Sequence, residues 1–298
     1  MEALAQPLPA YTALAALGIV VFGAFLRITR LSAGWAPYRT WLVMLPVVFA
    51  ALWLGVWGWA ALVTVLSVYG FKEFARATGL YRERLFVLVV YAAIVAMNVA
   101  AVFGRFGLFM VAPIWAVGLL TLVPIVRNRT EGMLQGFALA VVGVVYFAWF
   151  LAHLTYLAIW SGGLGLVIYV VLATQLNDVI AFLFGKLFGR RHWTALSPNK
   201  TVAGSVGALA FSIVFAFLNW PLAFPSFPWW GALAAGLIVG AGGQIGDLTL
   251  ASFKRNIGIK DFGDLLPGHG GILDRLNSLT LVAPVFLHFA RFFFDGFP

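Results

Sequence analysis

Apolar residues run along this chain in long blocks, interrupted by short polar clusters near 27–39, 72–84, 127–131, 186–201 and 254–275. A helix needs about 20 predominantly apolar residues to cross a hydrocarbon core of ~30 Å. By that measure the pattern predicts spans near 10–29, 40–56, 57–74, 85–104, 107–126, 134–159, 163–185, 204–220, 229–250 and 279–296. Two uncharged runs are too long for one crossing. Thr40–Phe71 would form a rod of about 48 Å, so a hairpin turn is expected near Gly55–Gly58. The run from Thr201 to Gly246 is expected to break at Pro221, Pro225 and Pro228, because proline cannot donate to a helix.

Composition agrees with this division. The 298 residues are 63% hydrophobic and only 10% charged, against roughly 25% charged in a soluble domain. The expected fold class is therefore all-α, a polytopic membrane protein of about ten transmembrane helices. Its N-terminal multi-span region would cover 1–130 and its C-terminal catalytic region 131–298, with the active site on the cytoplasmic side of the C-terminal half. The absence of cysteine excludes disulfides, thiolate catalysis and cysteine-ligated metals.

Charge gives the expected orientation. Seventeen of the nineteen Lys and Arg follow the odd-numbered spans, and only Arg105 and Arg291 fall elsewhere. The positive-inside rule then makes that face cytoplasmic and puts both termini outside, as expected in a bacterial plasma (inner) membrane. The net charge of +9 thus reads as topology, and no nucleic-acid partner is expected. The first segment does not read as a signal peptide, since Glu2 is the only charge before it.

Many polar and small residues have structural readings. His153 and His288 stand alone in apolar spans, where packing is expected, since metal sites need several convergent ligands. The Gly-rich stretch Gly236–Gly246 suits close helix packing. No standard nucleotide-binding glycine loop occurs.

The ten acidic residues are more informative, because five lie between Asp178 and Asp274. Asp178, beside Asn177, falls eight residues before Lys186, about 12 Å inside the span's charged end. Asp247 falls seven residues before Lys254, at a matching depth. Intramembrane carboxylates are costly and mark function, and two at one level suggest a shared cation. The segment 252–278 adds Lys254, Arg255 and Lys260 for phosphates, a Pro267-Gly-His269-Gly-Gly turn whose backbone amides could approach a ligand, and Asp274 followed by Arg275. Asp261 and Asp264 are equally compatible with solvated charges. Ser197-Pro198-Asn199-Lys200-Thr201 reads as a helix start capped by Ser197, with Lys200 beside it to attract an anion. Carboxylates with clustered cations suit Mg²⁺-assisted transfer on a phosphate, since Mg²⁺ takes one or two protein carboxylates and completes its shell from phosphates and water. The alternative from another class is a cation-coupled transporter, in which the paired aspartates would hold the transported ion.

These motifs, from about 175 to 285, resemble the phosphatidate cytidylyltransferases (CDP-diacylglycerol synthases). The resemblance rests on Lys254-Arg255-x4-Lys260-Asp261, on Pro267-Gly-His269-Gly-Gly-x-x-Asp274-Arg275, and, in the right order, on Asn177-Asp178, Ser197-Pro198-x-Lys200-Thr201 and Gly246-Asp247-Leu248. It implies CTP and phosphatidate as substrates, Mg²⁺ with a second, monovalent cation, and a homodimer. It assigns Asp247, Asp274, Lys254, Arg255 and Lys200 to the transfer itself. Ser197, Asn177, Asp178, Lys260, Asp261, His269 and Arg275 go to substrate binding, and Asp247, Asp274 and Asp178 to metal. The chain departs from the family pattern at Leu250, Ala251, Ala203 and Asn277, where polar or acidic groups are usual. Those departures leave open a divergent homologue that acts on another phosphorylated lipid or is inactive.

Overall fold

The computed structural model describes residues 8–29, 35–160, 162–265 and 270–294. Ten helices account for most of them: Leu8–Thr29 (α1), Trp35–Trp53 (α2), Gly55–Ala77 (α3), Arg84–Val102 (α4), Phe106–Arg127 (α5), Met133–Ala158 (α6), Gly163–Phe188 (α7), Val202–Ala223 (α8), Trp229–Asn256 (α9) and Leu273–Phe293 (α10). Each expected span coincides with one helix. Eight are long and apolar enough to cross a membrane; α2 qualifies only as a shorter apolar helix over Tyr38–Trp53, and α3, whose last two turns carry Lys72, Glu73 and Arg76, is not among the eight. No strand occurs among the described residues, and His192 and Thr201 form an isolated bridge. The chain is an all-α polytopic membrane protein.

Two compact units form, Met1–Ile159 with Asp261–Arg275, and Trp160–Lys260 with Leu276–Pro298. In the first, α3 packs against α2, α4 and α6, and α4 also against α5. The long Thr40–Phe71 run breaks at Gly55, whose φ of 74° is left-handed backbone that glycine adopts without strain. At that end the Trp59 indole donates to the Leu154 carbonyl (3.0 Å) and the Tyr156 hydroxyl to that of Gly104 (3.3 Å), which gathers the α2–α3 turn, the α4–α5 turn and the end of α6. At the other end an Arg129–Glu83 ion pair joins the α5–α6 and α3–α4 turns. Two of the basic turns therefore share one end, and Arg105 lies at the opposite one. Within α6, residues Val144–Phe150 widen to a π-helical turn. One turn later His153 is buried, with Nδ1 2.7 Å from the Trp149 carbonyl and its ring 4.9 Å from that of Phe109, which is the packing role expected of it.

In the second unit α8 lies along both α7 and α9. Glycines set that closeness. A Cβ on Gly236 would fall 2.6 Å from the Ile213 Cα, and one on Gly240 would fall 3.2 Å from the Leu209 Cα. The Gly236–Gly246 stretch is thus a packing surface. Beyond it, Trp160, Phe224, Phe227, Trp230, Phe289 and Phe294 cluster at one end of the unit, the Trp220 indole donating to the Phe227 carbonyl at 2.7 Å.

Two local expectations are corrected. The α8–α9 break falls at Phe224–Pro228, and Pro221 lies inside the last turn of α8. Pro221 removes one helix hydrogen bond, to the Phe217 carbonyl, and crowds that carbonyl, and the helix ends two residues later at Ala223. Likewise α8 does not start at Ser197. Its cap is Thr201, whose hydroxyl accepts from the Gly204 amide at 3.1 Å, while Ser197–Lys200 closes a turn with the Lys200 amide on the Ser197 carbonyl. Pro198 then occupies the second turn position, which its fixed φ favours.

Candidate active site

Four elements of the second unit converge. Asp247, on α9, receives the Lys200 ammonium on Oδ2 at 2.6 Å and the side-chain amide of Asn277 on Oδ1. The next residue of α10, Ser278, donates its hydroxyl to Oδ2 of Asp178 on α7 at 3.0 Å. Neighbouring residues of α10 thus reach one aspartate each, which puts Asp178 and Asp247 at one level of the unit. Gly246 allows the approach: a Cβ there would fall 2.7 Å from the Asn277 carbonyl oxygen. Beside them the buried Asn177 accepts from the Ser212 hydroxyl at 3.0 Å, and its own amide nitrogen faces Gly243. The Lys200 and Asp247 side chains remain 18% and 25% exposed. Both side chains still reach solvent, so a ligand's phosphate or cation that replaces the charge contact it breaks could displace either partner.

The first unit holds carboxylates in another way. Asp274, in the first turn of α10 and 6% exposed, accepts the backbone amides of Phe262 and Gly271 on Oδ2 at 2.9 and 3.0 Å. Glu73, from α3, accepts the Ile272 amide on Oε1 at 3.1 Å and the Leu273 amide on Oε2 at 2.8 Å. The donors at 271–273 belong to the N-terminus of α10, where amides have no intrahelical acceptor and negative charge is favoured. The sequence suggested that the amides of this glycine turn could approach a ligand. Of that turn the Gly271 amide is taken by Asp274, and the two amides after it, of Ile272 and Leu273, by Glu73, for which Gly271 leaves room.

The remaining sequence candidates are distributed as follows. Lys254 and Arg255 end α9 where cations complement the helix dipole, Lys254 half-buried and Arg255 exposed. The helix closes through Gly258 at φ 76°, with the Ile259 amide on the Lys254 carbonyl at 2.9 Å. Lys260, Asp261 and Asp264 are exposed, Ser197 and Arg275 are half-buried, and His269 lies outside the described residues. Of the residues expected to bind metal, Asp178 and Asp247 come together through Asn277 and Ser278, and Asp274 belongs to the amide cluster of the first unit. No group of three or more His, Cys, Asp or Glu placed to hold a metal occurs among the described residues. Glu73 was not singled out in the sequence. Its signal was its rarity, one of ten acids, placed at the charged end of a span. Nothing local linked it to a turn 199 residues away.

A family model described as the cytidylyltransferase family matches residues 35–293. The phosphatidate cytidylyltransferase of Staphylococcus haemolyticus is 37% identical over 170 residues, 56% of this chain and 63% of that protein. That of Staphylococcus aureus (strain COL) is 43% identical over 128 residues, 42% of this chain and 48% of that protein. An uncharacterized protein of Escherichia coli K12, YnbB, is 37% identical over 166 residues, 55% of each chain. The chain therefore spans about half to under two thirds of the length of these curated relatives.

Proposed function

The chain belongs to the cytidylyltransferase family, and from that premise we propose that it transfers a cytidylyl group from CTP to phosphatidate, giving CDP-diacylglycerol and pyrophosphate. The observation that supports this most is the exchangeable Lys200–Asp247 pair, set at one level with Asp178. A phosphate oxygen of phosphatidate, ionised at neutral pH, attacks the α-phosphorus of CTP. The bond from that phosphorus to the bridging oxygen breaks, and pyrophosphate leaves. The nucleophile carries its charge already, so no general base is required. Rate comes from alignment and charge neutralisation. Lys200 would turn from Asp247 to the phosphates, and Lys254, Arg255 and Lys260 would add positive charge.

The donor chemistry fits Mg²⁺, an oxygen-seeking ion that uses few protein carboxylates. Asp247, Asp274 and Asp178 are each assigned to metal by motif. Bound Mg²⁺ would neutralise phosphate charge, and a monovalent cation is the further expectation. Ser197, Asn177, Asp261, His269 and Arg275 keep the substrate-binding roles their motifs imply.

Purified protein in detergent with Mg²⁺, CTP and phosphatidate should release pyrophosphate and form the CDP-lipid. Absence of turnover with that pair would overturn the reading. Asn277 and the buried Leu250 favour a second reading, in which another phosphorylated lipid is the acceptor. A panel of phosphorylated lipids in the same assay separates the two. The cytoplasmic orientation of the site is proposed from the basic turns. Because the chain has no cysteine, single reporter cysteines at Arg82 and Arg105 will label from opposite sides if it holds. Size-exclusion chromatography with light scattering tests the homodimer.

A further inference from the structure

Glu73 does more than close a helix end. Its two oxygens take the adjacent amides of Ile272 and Leu273, immediately before Asp274, whose own carboxylate takes those of Phe262 and Gly271. The three consecutive amides of 271–273, with that of Phe262, are thus divided between two carboxylates. The sequence around them makes space for this. A Cβ on Gly263 would fall 2.6 Å from Oε1 of Glu73, and one on Gly271 would overlap Oε2. A second tether runs alongside, since the Phe74 ring lies 6.4 Å from that of Phe262. Charge-assisted bonds of this kind contribute more than neutral ones, and backbone amides cannot rotate away as side chains can.

We propose that Glu73 is the positioning residue for Asp274: by holding residues 272–273 it sets the depth and rotation of the first turn of α10, and so the aim of the carboxylate that follows. This rests on the proposed cytidylyl transfer and on the Mg²⁺ role assigned there to Asp274. It gives α3, from the N-terminal half, a part in the chemistry of a C-terminal motif.

Glu73→Gln preserves shape but turns one acceptor into a donor that faces an amide. Gly271→Ala displaces the carboxylate while residue 73 stays glutamate, and it decides the matter if the first variant does not fold. Glu83→Gln, at the ion pair with Arg129, is the control and should stay within about twofold of wild type, as a surface pair predicts. In both test variants hydrogen exchange at 271–274 should quicken without added metal. The Mg²⁺ needed for half of the ion's thermal stabilisation should rise about tenfold, and kcat should fall about 10–100-fold with the KM for CTP little changed, the range for residues that orient metal ligands. Faster exchange with an unchanged Mg²⁺ requirement and kcat would make Glu73 a helix cap alone and overturn the proposal, as would unchanged exchange. If the wild type shows no turnover, the transfer reading fails by itself. Exchange and Mg²⁺-dependent melting still judge Glu73.

Discussion

Each of the two units satisfies the carboxylates that α10 touches, but by opposite means. In the first, Glu73 and Asp274 are bonded to main-chain amides, and the loop that provides them cannot move without breaking several bonds together. In the second, Asp247 and Asp178 are bonded to the ends of side chains, an ammonium, an amide and a hydroxyl, each of which leaves by rotating about single bonds. Hydrogen bonds to charged groups contribute about 1.5–3 kcal/mol each, so the contrast lies less in strength than in what can be exchanged. The main chain builds a fixed frame, and the side chains hold contacts that, under the proposed transfer, substrate and ion would take over.

That contrast can be broken experimentally, and the largest effect is expected where exchange and chemistry coincide. Asp247→Asn should reduce CTP and phosphatidate turnover to below about 1% of wild type, in keeping with loss of a group that handles metal. Full turnover would remove Asp247 from the site. Lys200→Ala should lower kcat about 10²–10³-fold, as loss of a charge-stabilising donor does, with Lys200→Arg recovering part of it. Asn277→Asp sets a second carboxylate against Asp247 in place of a donor. It should destabilise the metal-free protein by about 1–3 kcal/mol, and melting with and without Mg²⁺ should show the ion restoring more stability than in wild type. The smallest effect belongs to Ser278→Ala, which removes one hydroxyl from Asp178 and should cost about 1.5 kcal/mol in denaturation, the low end for a bond to a charged group. A larger loss at Ser278 than at Asn277 would reverse the ranking of the two aspartates.

The helices were legible because hydrophobic length is a local property: each block of apolar residues became one helix, and the unsplit run of Thr40–Phe71 divided at Gly55. Boundaries set by competing local choices were less so. Ser197 and Thr201 are both good caps, and the winner was the one whose hydroxyl met an amide three residues on. The clustering of Asp178, Asp247 and Lys200 could be anticipated from matched depth and from family resemblance. Its actual connectors, Asn277 and Ser278, could not, since the sequence presented Asn277 only as a departure from pattern. Glu73 was the least legible, because its role exists only once residues 73 and 272 are neighbours in space.

The glycine row of α9 has a consequence for how this protein tolerates change. Gly236 and Gly246 admit no side chain, since backbone stands in the way, and Gly240 admits one only if Leu209 moves, whereas a methyl on Gly242 would rest at an ordinary 3.4 Å from Val282. In a saturation library scored for folded protein, independent of turnover, 236 and 246 should return almost nothing but glycine, 240 should be depleted less, and 242 should accept alanine. A substitution at 247 should pass that screen and fail one scored for activity. The same helix would then carry two kinds of constraint interleaved along a few turns, one imposed by its neighbours and the other by the reaction, and the two screens together would read them apart residue by residue.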